Sequence, residues 1–231
     1  MHVHRILHEN GGMPASITVI DGGSNSYTIS RGETVFIGGP GHITSKLLHS
    51  IVFRSLTVSD GIVLWIDGGN AFDPYRMSEL AERCGYDTAA LLSRIRIARA
   101  FTAHQMEAIA HSAPKEALSH RISAIIVSSV AELFTGDVGW REGMDLMQSA
   151  VKNIGRMTRE LGTWTLMTSG VSVSSSTEME RIADENYTRV INVGVEDDYL
   201  CAESDGLVLT VNKWSGQMHQ RSLLEFAGRD E

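Results

Sequence analysis

Residues 38–47 read Gly-Gly-Pro-Gly-His-Ile-Thr-Ser-Lys-Leu. A glycine-rich turn ending in lysine is suited to phosphate chemistry. In the pattern G-x-x-x-x-G-K-[ST] the glycines let backbone N–H groups wrap the phosphates, the lysine reaches the β- and γ-phosphates, and the hydroxyl holds Mg²⁺. Anchored on Lys46, the chain carries Pro40 for the first glycine, Ser45 for the second and Leu47 for the hydroxyl residue. Leu47 has no oxygen for a metal, and Ser45 disfavours the positive φ that glycine allows. Two readings stay open at this point. One is an ordinary strand-to-helix turn. The other is a degenerate anion site at a helix N-terminus, formed by Gly39, Gly41, Thr44, Ser45 and Lys46 and taking ATP or phosphate weakly.

Other reactive side chains are better explained by structural roles. Asp67 ends an apolar run, where a carboxylate can bind a metal but more commonly caps the following turn. His2, His4 and His8 sit in a polar N-terminal stretch that offers nothing to orient them as metal ligands. His104 and Gln105 open a helix, where capping or packing suits them. Arg99, at a strand end, is expected to pair with an acid. Arg141, with Lys152, Arg156 and Arg159, places positive charge along one helix and its preceding loop. That charge suits either a solvated face or a patch for nucleic acid or a protein partner, with Arg141 and Lys152 the DNA candidates. No metal site is expected.

These residues are set by alternating strands and helices. Thr34–Gly38, Ile62–Ile66, Ile95–Ala100, Ser123–Val127 and Thr163–Thr168 read as strands; IVLWI and SAIIV are continuous apolar runs of the kind buried on both faces. Helices are expected over Lys46–Val58, from the Asp73-Pro74 cap to Gly85, over Thr102–His111 and over Gly143–Leu161. A Ser-rich loop at Val171–Ser176 and a short helix at Glu178–Glu185 precede strands at Thr188–Val193, Leu207–Asn212 and Arg221–Phe226. The expectation is one α/β domain spanning residues 1–231, a mainly parallel sheet with helices on both faces and antiparallel C-terminal strands. Ligands of such sheets bind at the carboxyl ends of the strands.

Bulk properties narrow the classes. With 231 residues and 42% hydrophobic content, the chain can bury a core without disulfides or metal. No apolar run approaches a membrane span, and the N-terminus has no apolar signal core. Cys84 and Cys201 read as reduced thiols, in keeping with a cytoplasmic protein. A net charge of −8 disfavours tight, unaided DNA binding, which depends on phosphate neutralisation.

The stretch VLWIDGGNAFDPYRMSELAERCGYDTAALLSRIRIARAFTAHQM, from Val63 to Met106, is more specific. It resembles the core of RadA-type recombinases, the archaeal and eukaryotic branch of the RecA-like P-loop NTPases. There a strand ending in Ile-Asp leads into Thr-Glu-Gly-Thr-Phe, then Arg-Pro-x-Arg, a helix, a second strand and His-Gln-Met. Ile66, Asp67, Phe72, Pro74, Arg76, Glu82, Arg83, Gly85, Ala98, Arg99, Phe101, His104, Gln105 and Met106 match in consistent spacing. Ile125–Ser129 resembles the Walker B strand, Phe134–Arg141 the first DNA-binding loop and Leu166–Val171 the approach to the second. The resemblance runs from Thr18 to Phe226.

It also locates departures. The family's catalytic Glu falls on Gly69, its Walker B Asp on Ser128 and the Gln of its second DNA loop on Gly170. Together with Leu47, these changes imply a recombinase paralogue that no longer hydrolyses ATP. Such a protein would act in DNA recombination or repair by binding a partner, possible choices being a catalytic relative, weakly held single-stranded DNA or a second copy of itself. A weak DNA-dependent ATPase and a scaffold unrelated to DNA are the alternatives. An F-x-x-A self-assembly motif does not occur in the sequence, so long homopolymeric filaments are not expected.

Overall fold

The computed structural model describes residues 14–21, 25–117, 121–134, 138–169, 189–196, 199–204 and 206–211. The chain opens with a hairpin, β1 (Ser16–Asp21) and β2 (Ser26–Ser30), which forms its own antiparallel pair. Then follow β3 (Thr34–Gly38), α1 (Gly41–Val58), β4 (Ile62–Asp67), α2 (Pro74–Arg83), α3 (Thr88–Leu92), β5 (Ile95–Arg99), α4 (Ala103–Ala117), β6 (Ile122–Ser128), α5 (Trp140–Glu160) and β7 (Thr165–Thr168). The series closes with β8 (Arg189–Glu196), β9 (Tyr199–Ser204) and β10 (Leu207–Val211).

The main sheet has eight strands in the order β10-β9-β8-β3-β7-β6-β4-β5. The six from β8 to β5 pair in parallel, and β9 and β10 continue antiparallel. This is the expected architecture. The five strands read from the sequence lie in one sheet: β3, β4, β6 and β7 are apolar runs that need cover on both faces, and β5, with Arg96, Ile97 and Arg99 exposed, forms its edge. One face packs against α1, α2 and the hairpin through Trp65, Ile126, Leu166 and Ile51. The other packs against α4 and α5 through Ile66, Ile125, Met106 and Ile154.

Several boundaries differ from the sequence reading. α1 starts at Gly41, not Lys46, because Ile43, Leu47, Leu48 and Ile51 form a buried stripe that carries the helix through the polar residues between them. α5 starts at Trp140, ahead of Gly143. The hairpin, α3 and β9 have no counterpart in that reading. α2 begins as expected, with Asp73 accepting N–H bonds from Tyr75 (2.9 Å) and Arg76 (3.2 Å) and Pro74 in the first turn. Arg94 ties the end of α1 to β5. Its guanidinium donates to the carbonyls of Leu56 (2.8 Å), Ser59 and Gly61 (2.7 Å). The loop at Val171–Ser176, the helix at Glu178–Glu185, the strand at Arg221–Phe226, His2, His4, His8 and Gly170 lie outside the described residues.

Candidate functional site

Parallel strands bring the ends of β3, β4 and β6 to one edge of the sheet, so the residues to compare are those in the turns that follow them. After β3 the chain presses against β8. A Cβ on Gly39 would lie 2.7 Å from Val193 Cγ2, and Gly39 has a φ of +145°, so only glycine fits. α1 then begins at once. Ile43 and Thr44 donate their N–H groups to Pro40 O at 2.9 and 3.0 Å, and Thr44 Oγ1 donates to Gly41 O at 3.2 Å. Of the anion-site residues, only Gly39 lies in the turn. Gly41, Thr44, Ser45 and Lys46 belong to the first two helical turns. Lys46 is half-buried and stands about 7.5 Å along the axis from Gly41, at about 1.5 Å per residue. Leu47 is buried in the core.

The ends of β4 and β6 are joined by hydrogen bonds. Asp67 and Ser128 are register partners, and both are fully buried. Ser128 Oγ donates to Asp67 Oδ1 at 2.8 Å and accepts from Trp65 Nε1 at 2.9 Å. Asp67 also accepts the N–H groups of Ala71 (2.8 Å) and Phe72 (3.2 Å), and Arg99 Nε stands 3.5 Å from its other oxygen. Asp67 is therefore a turn cap, and Arg99 has its acidic partner. Ser128 thus bridges an indole and a carboxylate.

Gly69 follows in the same turn. A Cβ there would overlap Ser129 Oγ and fall 2.6 Å from Ser129 Cβ and 2.9 Å from Glu132 Oε2. No side chain fits at residue 69 without displacing the turn after β6. Asn70 (φ 51°) and Ser129 (φ 55°), in these two abutting turns, are the non-glycine residues with positive φ among the described residues. Such strain persists where surrounding contacts hold it.

His49 lies beneath this edge, fully buried on α1. Its Nδ1 is 2.7 Å from Ser45 O, and its Nε2 accepts the Asp73 N–H at 2.9 Å. Burial lowers its pKa and outweighs the bond to Ser45 and the nearby Asp73 and Asp67 carboxylates, which raise it; Arg76 adds to the lowering. Sequence reasoning missed His49, Ser128's contact with Trp65 and Glu132. The one available signal was a histidine inside the apolar stripe of α1.

Arg141 and Lys152 lie on one exposed face of α5, with Arg156 and Arg159 beyond them. At about 1.5 Å per residue they stand roughly 16 Å apart along the axis. Acidic groups interrupt the stripe: Asp145 lies between them, Glu142 is 3.3 Å from His104 Nε2, and Glu160 is 3.9 Å from Arg156. The structure places them far from Lys46 in sequence and on a different element, on the opposite face of the sheet from α1.

A parallel sheet with helices on both faces, extended by antiparallel strands, defines a RecA-like α/β protein. The family is narrower. The Rad51 family model matches residues 5–191, and the chain belongs to that family. Among curated proteins it is similar to a meiotic recombination protein DMC1 homolog of Lilium longiflorum, 30% identical over 157 residues, covering 67% of this chain and 45% of that protein. It is also similar to the DNA repair protein RAD51 of Mycosarcoma maydis, 30% identical over 117 residues, covering 48% and 34%. A DMC1/LIM15 homolog of Mus musculus is 28% identical over 141 residues, covering 59% and 41%. The matched stretch spans less than half the length of each relative. No described helix is long and apolar enough to cross a membrane.

Proposed function

We propose that the chain is a Rad51-family protein of recombination or repair that does not turn over ATP and works by binding a partner, a catalytic relative being the first choice. The observation that carries this reading is the Asp67–Ser128–Trp65 chain of hydrogen bonds. Phosphoryl transfer depends on positioning and charge neutralisation, with a metal held by a hydroxyl and a carboxylate and a group to orient water. Here Leu47 is apolar and buried, Ser128 is committed to its neighbours, and residue 69 has no room for a side chain. Magnesium nucleotide does not fit these residues. The early start of α1 supports the same reading, because Ile43 and Thr44 spend their N–H groups on Pro40.

The test is ATP hydrolysis with Mg²⁺ and single-stranded DNA, beside an active relative. Turnover is expected to stay at background, and Lys46→Ala to leave it unchanged. Mg²⁺-dependent turnover that disappears in Lys46→Ala refutes the reading and favours a weak DNA-dependent ATPase. The basic stripe on α5 favours a second reading, direct but weak contact with single-stranded DNA through Arg141 and Lys152.

A further inference from the structure

His49 is bonded through both ring nitrogens, Nδ1 to the backbone of its own helix and Nε2 across to the turn that leads into α2. Ser45 O can only accept, so Nδ1 carries the hydrogen. The Asp73 N–H can only donate, so Nε2 is the bare acceptor. The geometry thus fixes a neutral ring in one tautomer. Trp65 on β4 and Phe72 in the turn enclose it, with ring centroids at 5.0 and 5.9 Å.

We propose that His49 is a proton-operated latch: protonating Nε2 sets two donors against each other at the Asp73 N–H and releases the turn after β4, with α2, from α1. The inference is independent of the reading that the site does not turn over nucleotide.

The charged groups around the ring leave an added proton without an easy partner. From the turn and α2 come the Asp73 carboxylate and the Arg76 guanidinium, and from β4 comes Asp67. Asp73 is engaged by the N–H groups of Tyr75 and Arg76, and Asp67 by those of Ala71 and Phe72, by Ser128 and by Arg99. Neither carboxylate can swing to Nε2 without undoing the same turn. On α1 itself, Lys46 is one turn away and is a cation. The charged ring therefore gains solvent and a partner only by opening. The sign follows from the geometry. The closed state excludes the proton and the open state accepts it, so closure is fully favoured above the ordinary histidine range, around pH 6.5. Closure weakens as pH falls below that range toward the lowered value of the buried ring.

The test is amide hydrogen exchange of the whole chain at pH 7.5 and 5.5, corrected for intrinsic exchange, in wild type and His49→Gln. Glutamine can accept from Asp73 but does not titrate. Protection of the α2 amides in wild type should fall by up to about tenfold per pH unit below the histidine range, the limit for one linked proton. Protection of β6 should hold, and α2 in His49→Gln should show no such dependence. Equal α2 protection at both pH values, or the same fall in the variant, overturns the latch. Should the variant fail to fold, NMR titration of the His49 ring nitrogens in wild type decides. Protonation that tracks the loss of α2 protection supports the latch, and protonation with α2 still protected overturns it.

Discussion

Replacing Ser128 by Asp sets a second carboxylate against a buried one. Ser128 Oγ stands 2.8 Å from Asp67 Oδ1, and both residues have no exposed surface. Two ionised carboxylates at that separation cannot coexist away from water, so the folded variant must keep one of them protonated. An aspartic acid with an ordinary pKa of about 3.9 costs about 4 kcal/mol to hold neutral at pH 7, at about 1.36 kcal/mol per unit. The hydrogen bond across the shared proton offsets part of this, leaving a net loss of about 2–4 kcal/mol. The sign can be measured. The folded variant binds a proton that the unfolded chain releases, so its deficit grows as pH rises above about 4 and shrinks as pH falls. Urea unfolding at pH 7 and pH 5 should show the gap between Ser128→Asp and wild type narrowing by up to about 2.7 kcal/mol, two units at the same constant. Ser128→Asn, of similar size but uncharged, should show a gap that does not depend on pH in this way. A deficit in Ser128→Asp that is absent, or that is the same at both pH values, refutes the reasoning. The variant should also gain no ATP turnover.

Three further outcomes are expected. Gly69→Ala should cost about 1–3 kcal/mol in thermal or urea unfolding through overpacking against Ser129, and Ser129→Gly in the same chain should recover part of it. Arg94→Ala strips hydrogen bonds from the carbonyls of Leu56, Ser59 and Gly61 and should cost about 2–4 kcal/mol; Arg94→Lys, with one compact ammonium, should restore only part. Arg141→Ala with Lys152→Ala should weaken single-stranded DNA binding and flatten its salt dependence by about one to two in the log–log slope; unchanged binding removes α5 as the contact.

What the sequence revealed follows from where the information lies. IVLWI and SAIIV announce strands buried on both faces, and Asp73-Pro74 announces a helix start, because each signal is local. Asp67 was legible as a turn cap for the same reason, since its partners Ala71 and Phe72 lie four and five residues on. The contact of Ser128 with Trp65 spans 63 residues and cannot be read from either neighbourhood. Nor can the crowding at Gly69, which comes from the turn after β6. The sequence places the start of α1 late because glycines and a proline at 38–41 suggest a loop, while the buried stripe from Ile43 to Ile51 decides for helix. The hairpin strands β1 and β2 are five or six residues long, and their alternation, with Ile17, Val19, Tyr27 and Ile29 buried, is a local strand signal that the sequence reading passes over.

The crowding around Gly69 also bears on which residues the position can accept. Ser129 and Glu132 now occupy the space through which any side chain at residue 69 must leave the backbone. A single exchange of Gly69 for Glu meets a hydroxyl at its first carbon and a like charge beyond it. Ser128 faces the matching obstacle in Asp67. A carboxylate at 69 therefore requires changes at residue 129 and at residue 132. The two turns thus restrict residue 69 to glycine through contacts made by residues 60 or more positions further along the chain.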